Sequence, residues 1–187
     1  MIVLISLLRG VNVGGHQKIK MDALRALYES LGLRDARTYV QSGNVIFKTR
    51  ERDIARLTQK IESAIERQFV FRPDVLIRTA SELRDVVRRN PFAQRRGIDP
   101  SKLLVTFLAR IPKAEDCVKV SQIKADPEEL RIVGREVYIY YPKGMARPKL
   151  SWTQLAKTLK TTGTGRNWNT VTQLLAMAEE LEATPPE

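Results

Sequence analysis

One cysteine, Cys117, and one histidine, His16, are all the chain offers of the two residue types that most often carry metal or nucleophilic chemistry. A lone cysteine excludes an internal disulfide, and the natural setting for such a chain is a reducing cytoplasm. A lone histidine leaves zinc sites and Ser-His or Cys-His catalysis without a partnered imidazole. Cys117, beside Val118 on an expected helix face, reads as a small core residue. Paired carboxylates are scarce as well. Asp22 and Glu29 can share a helix face, but two turns, roughly 10 Å of rise, separate them. Glu115-Asp116 is most simply an acidic pair in the first turn of a helix. No metal and no cofactor is expected on these grounds. No apolar run approaches membrane-spanning length, and Ile2 to Leu8 is too short, and lacks the basic lead-in, for a signal peptide.

What is abundant is positive charge. The net charge is +11, which makes nucleic acid or an anionic small molecule a fair expectation beside a functionally silent basic surface. Arg84, Arg88, Arg89, Arg95 and Arg96 crowd one segment, whereas Glu179, Glu180, Glu182 and Glu187 make the C-terminus acidic.

The apolar pattern gives the elements in order. Ile2 to Leu8 is a strand with apolar residues on both faces. Met21 to Leu31 is a helix stopped by Gly32. Arg37 to Val40 and Val45 to Lys48 are strands around the turn Gln41-Ser42-Gly43-Asn44. Ile54, Leu57, Ile61 and Ile65 mark a helix capped by Asp53. Pro73 to Arg78 is a strand, and Thr79 with Glu82 forms a capping box for a helix ending before Pro91. The order then recurs: strand Lys102 to Ala109, helix Lys113 to Val120, strands Leu130 to Val133 and Val137 to Tyr141, a helix after Ser151 and Gln154, an edge strand Thr161 to Arg166, and a last helix from Trp168.

Each half is thus strand, helix, strand, strand, helix, strand, plus one extra helix. The expected fold class is α+β: two tandem ferredoxin-like (βαββαβ) plaits, over residues 1–90 and 102–187, joined by a connector at 91–101. The expected sheet order, 4-1-3-2, brings the end of strand one, the hairpin before strand three and the start of strand four to one edge. Arg9 to Lys18 should therefore lie near Ser42-Gly43-Asn44 and Arg72-Pro73. Both central strands, Ile2 to Leu8 and Lys102 to Ala109, need cover on two faces. The spare helices supply it within one chain, which favours a monomer and predicts Leu4, Ile5, Leu104 and Val105 all inaccessible.

The loop Arg9-Gly10-Val11-Asn12-Val13-Gly14-Gly15-His16-Gln17-Lys18 joins a strand to a helix, where free backbone N–H groups favour an anion. Gly10 and Gly15 have P-loop glycine spacing, but His16-Gln17 replaces the required Lys-Ser/Thr. Arg166 sits before a helix start, where it opposes the macrodipole unless a bound anion or, more simply, a carboxylate offsets it. Asn167 or Asn169 is an ordinary cap there. Tyr138 and Tyr140 share a strand face and could stack a base or simply cover the sheet; the first strand has no aromatic at all, unlike an RNA-recognition sheet.

Three signatures, Leu7-Leu8-Arg9-Gly10-Val11-Asn12-Val13-Gly14-Gly15, Thr38-Tyr39-Val40-Gln41-Ser42-Gly43-Asn44-Val45 and Thr164-Gly165-Arg166-Asn167-Trp168-Asn169-Thr170-Val171, together with Asn90-Pro91-Phe92, resemble the bacterial family called domain of unknown function 1697. The resemblance implies a pair of ferredoxin-like subdomains and supplies no catalytic residues. One departure is Gly165, where members of the family often have Thr. The leading expectation is a module that binds a phosphate-bearing ligand, nucleotide or nucleic-acid backbone through Arg9, Asn12, Gly14, Gly15 and Lys18, with Ser42 and Asn44 alongside and Arg166 and Asn167 as further contacts. The alternatives are an enzyme acting on a small anionic substrate, with Arg9 and Arg166 as clamps and His16 as acid–base group, and a structural module whose asparagines only hold backbone.

Overall fold

Hydrogen-bonded strand pairs organise the chain into two units, Met1–Arg84 with Gln173–Glu187, and Asp85–Thr172. The computed structural model describes residues 1–14, 17–146 and 148–184. The first unit contains β1 (Ile2–Leu8), α1 (Met21–Ser30), β2 (Arg34–Tyr39), β3 (Asn44–Thr49), α2 (Ile54–Phe69) and β4 (Val75–Thr79). The second contains β5 (Leu103–Leu108), α4 (Ala114–Ser121), β6 (Glu129–Val133), β7 (Glu136–Tyr140), α5 (Trp152–Leu159) and β8 (Gly163–Asn167). Two helices straddle the division: α3 (Ala80–Arg88) passes from the first unit to the second, and α6 (Trp168–Ala183) passes back. Among the described residues this is a mixed α/β fold of two four-stranded antiparallel sheets and six helices.

The sheet orders are β2-β3-β1-β4 and β6-β7-β5-β8, the order expected for each half. Registers match as well. Ile5 pairs with Ile46 on one side and Arg78 on the other, and Val105 pairs with Tyr138 and Arg166 in the same way. The residue after each arginine starts a helix. Thr79 does so by a reciprocal capping box with Glu82, with bonds of 2.8 and 3.1 Å. Asn167 does so by accepting from the Asn169 N–H at 3.0 Å.

In the first unit one sheet face carries Leu4, Leu8, Val45, Phe47, Val75 and Ile77, packed with Leu24, Leu27 and Tyr28 of α1 and Leu57, Ile61 and Ile65 of α2. Ser6, the polar interruption of β1, is on that same face and buried. Its hydroxyl meets the Tyr28 hydroxyl at 2.7 Å, and burial pushes the Tyr28 pKa up. The opposite face holds Ile5, Leu7, Ile46 and Arg78, all buried too. Contacts from the second half of α6 identify one cover for it. Arg37 reaches Glu180 at 3.1 Å, the Lys48 ammonium donates to the Thr184 carbonyl at 3.0 Å, and Arg84 binds Glu179 and Glu182. Arg37 stands opposite Ile46, so these contacts lie over the face that α1 and α2 leave open.

The second unit repeats the scheme. Leu108, Val137 and Ile139 pack with Val120, Leu155 and Leu159 under α4 and α5, and Tyr138 on the other face donates to the Val86 carbonyl of α3 at 2.7 Å. Leu4, Ile5 and Val105 are fully inaccessible. Leu104 is not: it is half-buried, because its side chain lies against Gly165 of the edge strand β8, a neighbour with no side chain to cover it.

Gly43 shows how tightly β1 and the β2–β3 hairpin meet. Its φ is +70°, its carbonyl accepts from the Leu8 N–H at 2.9 Å, and a Cβ there would stand 2.8 Å from the Leu8 Cβ. Gly14, at φ +61°, has open space around it. We expect Gly43→Ala to lose at least about 2 kcal/mol and Gly14→Ala only about 1 kcal/mol in urea denaturation. Equal midpoints for the two variants would refute the packing account.

Candidate functional site

At the end of β1 the chain turns away under two backbone bonds, Leu8 N–H to Gly43 and Arg9 N–H to the Asp74 carbonyl at 2.9 Å. The Arg9 guanidinium also meets the Asp74 carboxylate at 2.8 Å, with both side chains largely exposed. In water such a pair contributes little stability, but it neutralises the cation. Val11 and Ile19, each 2% exposed, anchor the two ends of the loop in the core. Between them Asn12 acts as a staple. It adopts φ +57°, a left-handed conformation that asparagine tolerates better than most residues. Its amide donates to the Ile19 carbonyl at 3.0 Å and to the Gln41 carbonyl at 2.7 Å, and accepts from the Ile19 N–H at 2.9 Å. Both amide hydrogens are therefore committed. Asn44 is buried and donates to the Tyr39 carbonyl and the Ser42 hydroxyl, each at 2.9 Å, which closes the hairpin.

Arg9, Asn12, Lys18, Ser42 and Asn44 are thus gathered at one corner, as the sheet order requires, with Gly14 on the exposed loop. Gly15 and His16 lie outside the described residues, so the acid–base reading of His16 has no geometry. What pattern reading missed is the ground around the corner: Asp74, which faces Arg9, and Lys20, Met21 and Gln41. The last three, with Asn12, Lys18 and Asp22, line a groove of ≈ 780 Å³ at the start of α1. Lys20 is the N-cap of α1, yet its side chain makes no capping bond. The first-turn N–H groups consequently have no side-chain acceptor at the cap position. Lys18 and Lys20 form no ion pair among the described residues. The one carboxylate in the groove, Asp22, has the Arg25 guanidinium 3.9 Å away.

Arg166 and Asn167 belong to the second unit. Arg166 is 5% exposed. Its Nη1 donates to the Thr164 hydroxyl at 2.8 Å and the Gly165 carbonyl at 2.9 Å, and burial pushes its pKa down to about 10, so it stays charged at neutral pH. The same place in the first sheet holds Arg78, 2% exposed and donating to the Ile77 carbonyl. A buried arginine at one register position in both halves marks a building element. Asn167 is the cap, and its amide also donates to the Ser101 carbonyl at 2.7 Å. The Tyr138 and Tyr140 rings are buried, Tyr140 against Phe92 with the Arg95 guanidinium over it. They cover the sheet and leave no face for a base.

Elsewhere the titratable groups have structural work. Cys117 is half-buried against the second core, and burial followed by the nearby Asp116 pushes its thiol pKa up, away from a reactive thiolate. Asp116, an unremarked member of the acidic pair in the sequence, is almost inaccessible and takes both the Lys119 and Lys160 ammoniums at 3.1 Å. It ties α4 to the left-handed cap of α5. Hydrogen bonding from Lys160 foremost, then from Lys119, holds its carboxyl below the usual range against the opposing effect of burial. Among the described residues no group of three or more His, Cys, Asp and Glu side chains could hold a metal ion. No described helix is long and apolar enough to cross a membrane.

A family model described as a protein of unknown function, DUF1697, matches residues 1–138. The signatures at Arg9 and Gln41 fall inside that span; the one at Arg166 lies beyond it. A conserved bacterial protein, SP0830 from Streptococcus pneumoniae, has a similar structure at a TM-score of 0.70 and 21% identity, covering 95% of this chain and 98% of that one. That likeness is one of fold. Among curated proteins nothing matches.

Two outcomes follow from the geometry. Asn12→Ala should cost about 1–3 kcal/mol and remove hydrogen-exchange protection from the Ile19 amide while sparing Tyr28; unchanged Ile19 protection would show that Asn12 is not the staple. For Asp116, a depressed folded-state pKa stabilises fully above the ordinary carboxyl range and is lost as pH falls through the folded value. Lys160→Met should therefore move acid unfolding, followed by circular dichroism, to higher pH. An unmoved midpoint would mean that the clamp adds nothing.

Proposed function

The chain belongs to the DUF1697 family of proteins of unknown function, and on that premise we propose that it is a duplicated ferredoxin-like plait whose first unit binds a phosphate-bearing ligand at the start of α1. The repeated βαββαβ order and the matching places of Arg78 and Arg166 support the duplication. The observation that carries the binding reading is the first turn of α1, without a side-chain cap, beside a groove lined by Lys18 and Lys20, which form no ion pair among the described residues. Backbone N–H groups, the positive end of the helix dipole and two mobile cations together suit a phosphate.

The roles differ from residue to residue. Lys18, Lys20 and the backbone at Gly14 meet the ligand; Gly15 lies outside the described residues. Asn12, Ser42 and Asn44 shape the corner, since the two amides and the Ser42 hydroxyl bond within it. Arg9, neutralised by Asp74, holds the end of β1. Arg166 and Asn167 brace the second sheet. A ≈ 780 Å³ groove has room for a nucleotide as well as a simple phosphate. One observation favours a second, purely structural reading: Asn12, Asn44 and Asn167 all bond backbone carbonyls, as turn-fixing residues do.

Thermal-shift titrations with inorganic phosphate, tripolyphosphate and ATP separate the two. Binding predicts a rise in Tm that grows with ligand, about 2.7 kcal/mol at a hundredfold excess over Kd, shrinks with added salt, and disappears in Lys18→Gln/Lys20→Gln. No rise with any of the three, or an equal rise in the variant, would leave the structural reading.

A further inference from the structure

A second charged surface lies on α2, on different residues from the groove. The helix carries Arg56, Lys60 and Arg67 at spacings of four and seven, which puts them within about 40° of one another around the helix axis. Arg52 stands two residues before the helix. All four are exposed. The Arg52, Arg56 and Arg67 guanidiniums make no ion pair and no hydrogen bond with any described residue, and Lys60 gives one bond to the Leu31 carbonyl at 2.9 Å.

The carboxylates that could neutralise the stripe are used elsewhere. Glu62 and Glu66 stand on the other flank of α2 and are both taken by Arg72, at 2.9 and 3.5 Å. Glu51 accepts from the backbone of Arg52 and Asp53, and Asp53 caps the helix by accepting from the Arg56 N–H. The first turn of α2 contains no acidic residue, so Arg56 adds charge to the positive end of the dipole. Arg56 and Lys60 are also like charges one turn apart, which weakens a helix. Arg67, in the last turn, suits the negative end of the dipole, but the Arg56–Lys60 pair at the other end gives the helix no stability.

We infer that this face of α2 is a docking surface for a nucleic-acid phosphate backbone. The exposed residues near the cations are Ala55, Gln59, Glu66 and Gln68, with Val70 the one exposed apolar side chain, just past the helix; a single valine at the end of the stripe is not the apolar cluster a protein interface centres on. The three helical cations span about 16 Å from Arg56 to Arg67 and so run past several phosphates of a duplex. With no aromatic for stacking and no Asn or Gln held against a base edge, it reads charge and not sequence.

The test is fluorescence anisotropy of the full chain with a labelled DNA duplex of about 20 base pairs, between roughly 50 and 200 mM salt. The variant Arg52→Gln/Arg56→Gln/Arg67→Gln should bind at least about tenfold more weakly and lower the slope of log affinity against log salt by about 2.7, three contacts at about 0.9 each. Lys113→Gln/Lys124→Gln/Lys143→Gln, exposed residues elsewhere with the same loss of charge, should leave both nearly unchanged. Equal losses in the two variants would mean that only net charge matters and would overturn the assignment. Displacement of the duplex by polyglutamate at equal charge would do the same in favour of an acidic polypeptide. Loss in Lys18→Gln/Lys20→Gln with none in the α2 variant would move duplex binding to the groove. Phosphate binding measured with the α2 variant stays intact under both proposals, so the failure of one leaves the other standing.

Discussion

A strand with apolar side chains on both faces has to be covered twice, and β1 and β5 are both of that kind. Each leucine or isoleucine left in water would forgo about 1.5–3 kcal/mol, so a wet sheet face would be costly. The helices between the strands cover one face only. The other is left to α3 and α6, and this demand explains why neither helix stays with the sheet it follows. The second half of α6 reaches Arg37, Lys48 and Arg84 of the first unit, and α3 supplies the acceptor for Tyr138 in the second. The basic Arg84 and the acidic end of the chain, which look like unrelated charge clusters in the sequence, are partners.

Local patterns exposed nearly all of the architecture. Period-two and period-3.6 apolar spacing fixed the strands and helices to within a few residues, and Asp53, Thr79 and Ser151 cap as their positions suggest. The strand order followed from element order alone. What local pattern could not reveal was which polar residues are spent internally. Asn12 has the composition of a ligand group, but its partners Ile19 and Gln41 are fixed by tertiary contact, the latter 29 residues away. Arg9 finds Asp74 across 65 residues. For Arg166 a single residue of register decides between solvent and interior, because alternate strand residues face opposite ways.

The two buried arginines sharpen the point. Taken alone, Arg166 before a helix start suggests an anion clamp. Its counterpart Arg78, in the same register position of the other sheet and equally buried, has no loop motif beside it to suggest a ligand. Whatever the arginines do in one half they do in the other, so a function peculiar to one loop cannot rest on them. Groups that differ between the halves are the better guide.

The largest difference is the connection from the first strand to the first helix of each unit. Between β1 and α1 it runs from Arg9 to Lys20, rich in glycine and stapled by Asn12; between β5 and α4 it runs only from Ala109 to Lys113. The helix starts differ in the same sense. In α4, Glu115 and Asp116 occupy the first turn and repel an anion, and Asp116 is locked by two lysines. In α1 the first-turn carboxylate is Asp22, and the two lysines that precede it form no ion pair among the described residues. Two units with the same strand order thus control for one another: the strand-to-helix junction is short and acidic in one and long and cationic in the other. Burial and pairing account for the first completely. They do not account for the second, because Lys18 and Lys20 form no ion pair among the described residues, and that unspent charge is what the proposed phosphate site rests on.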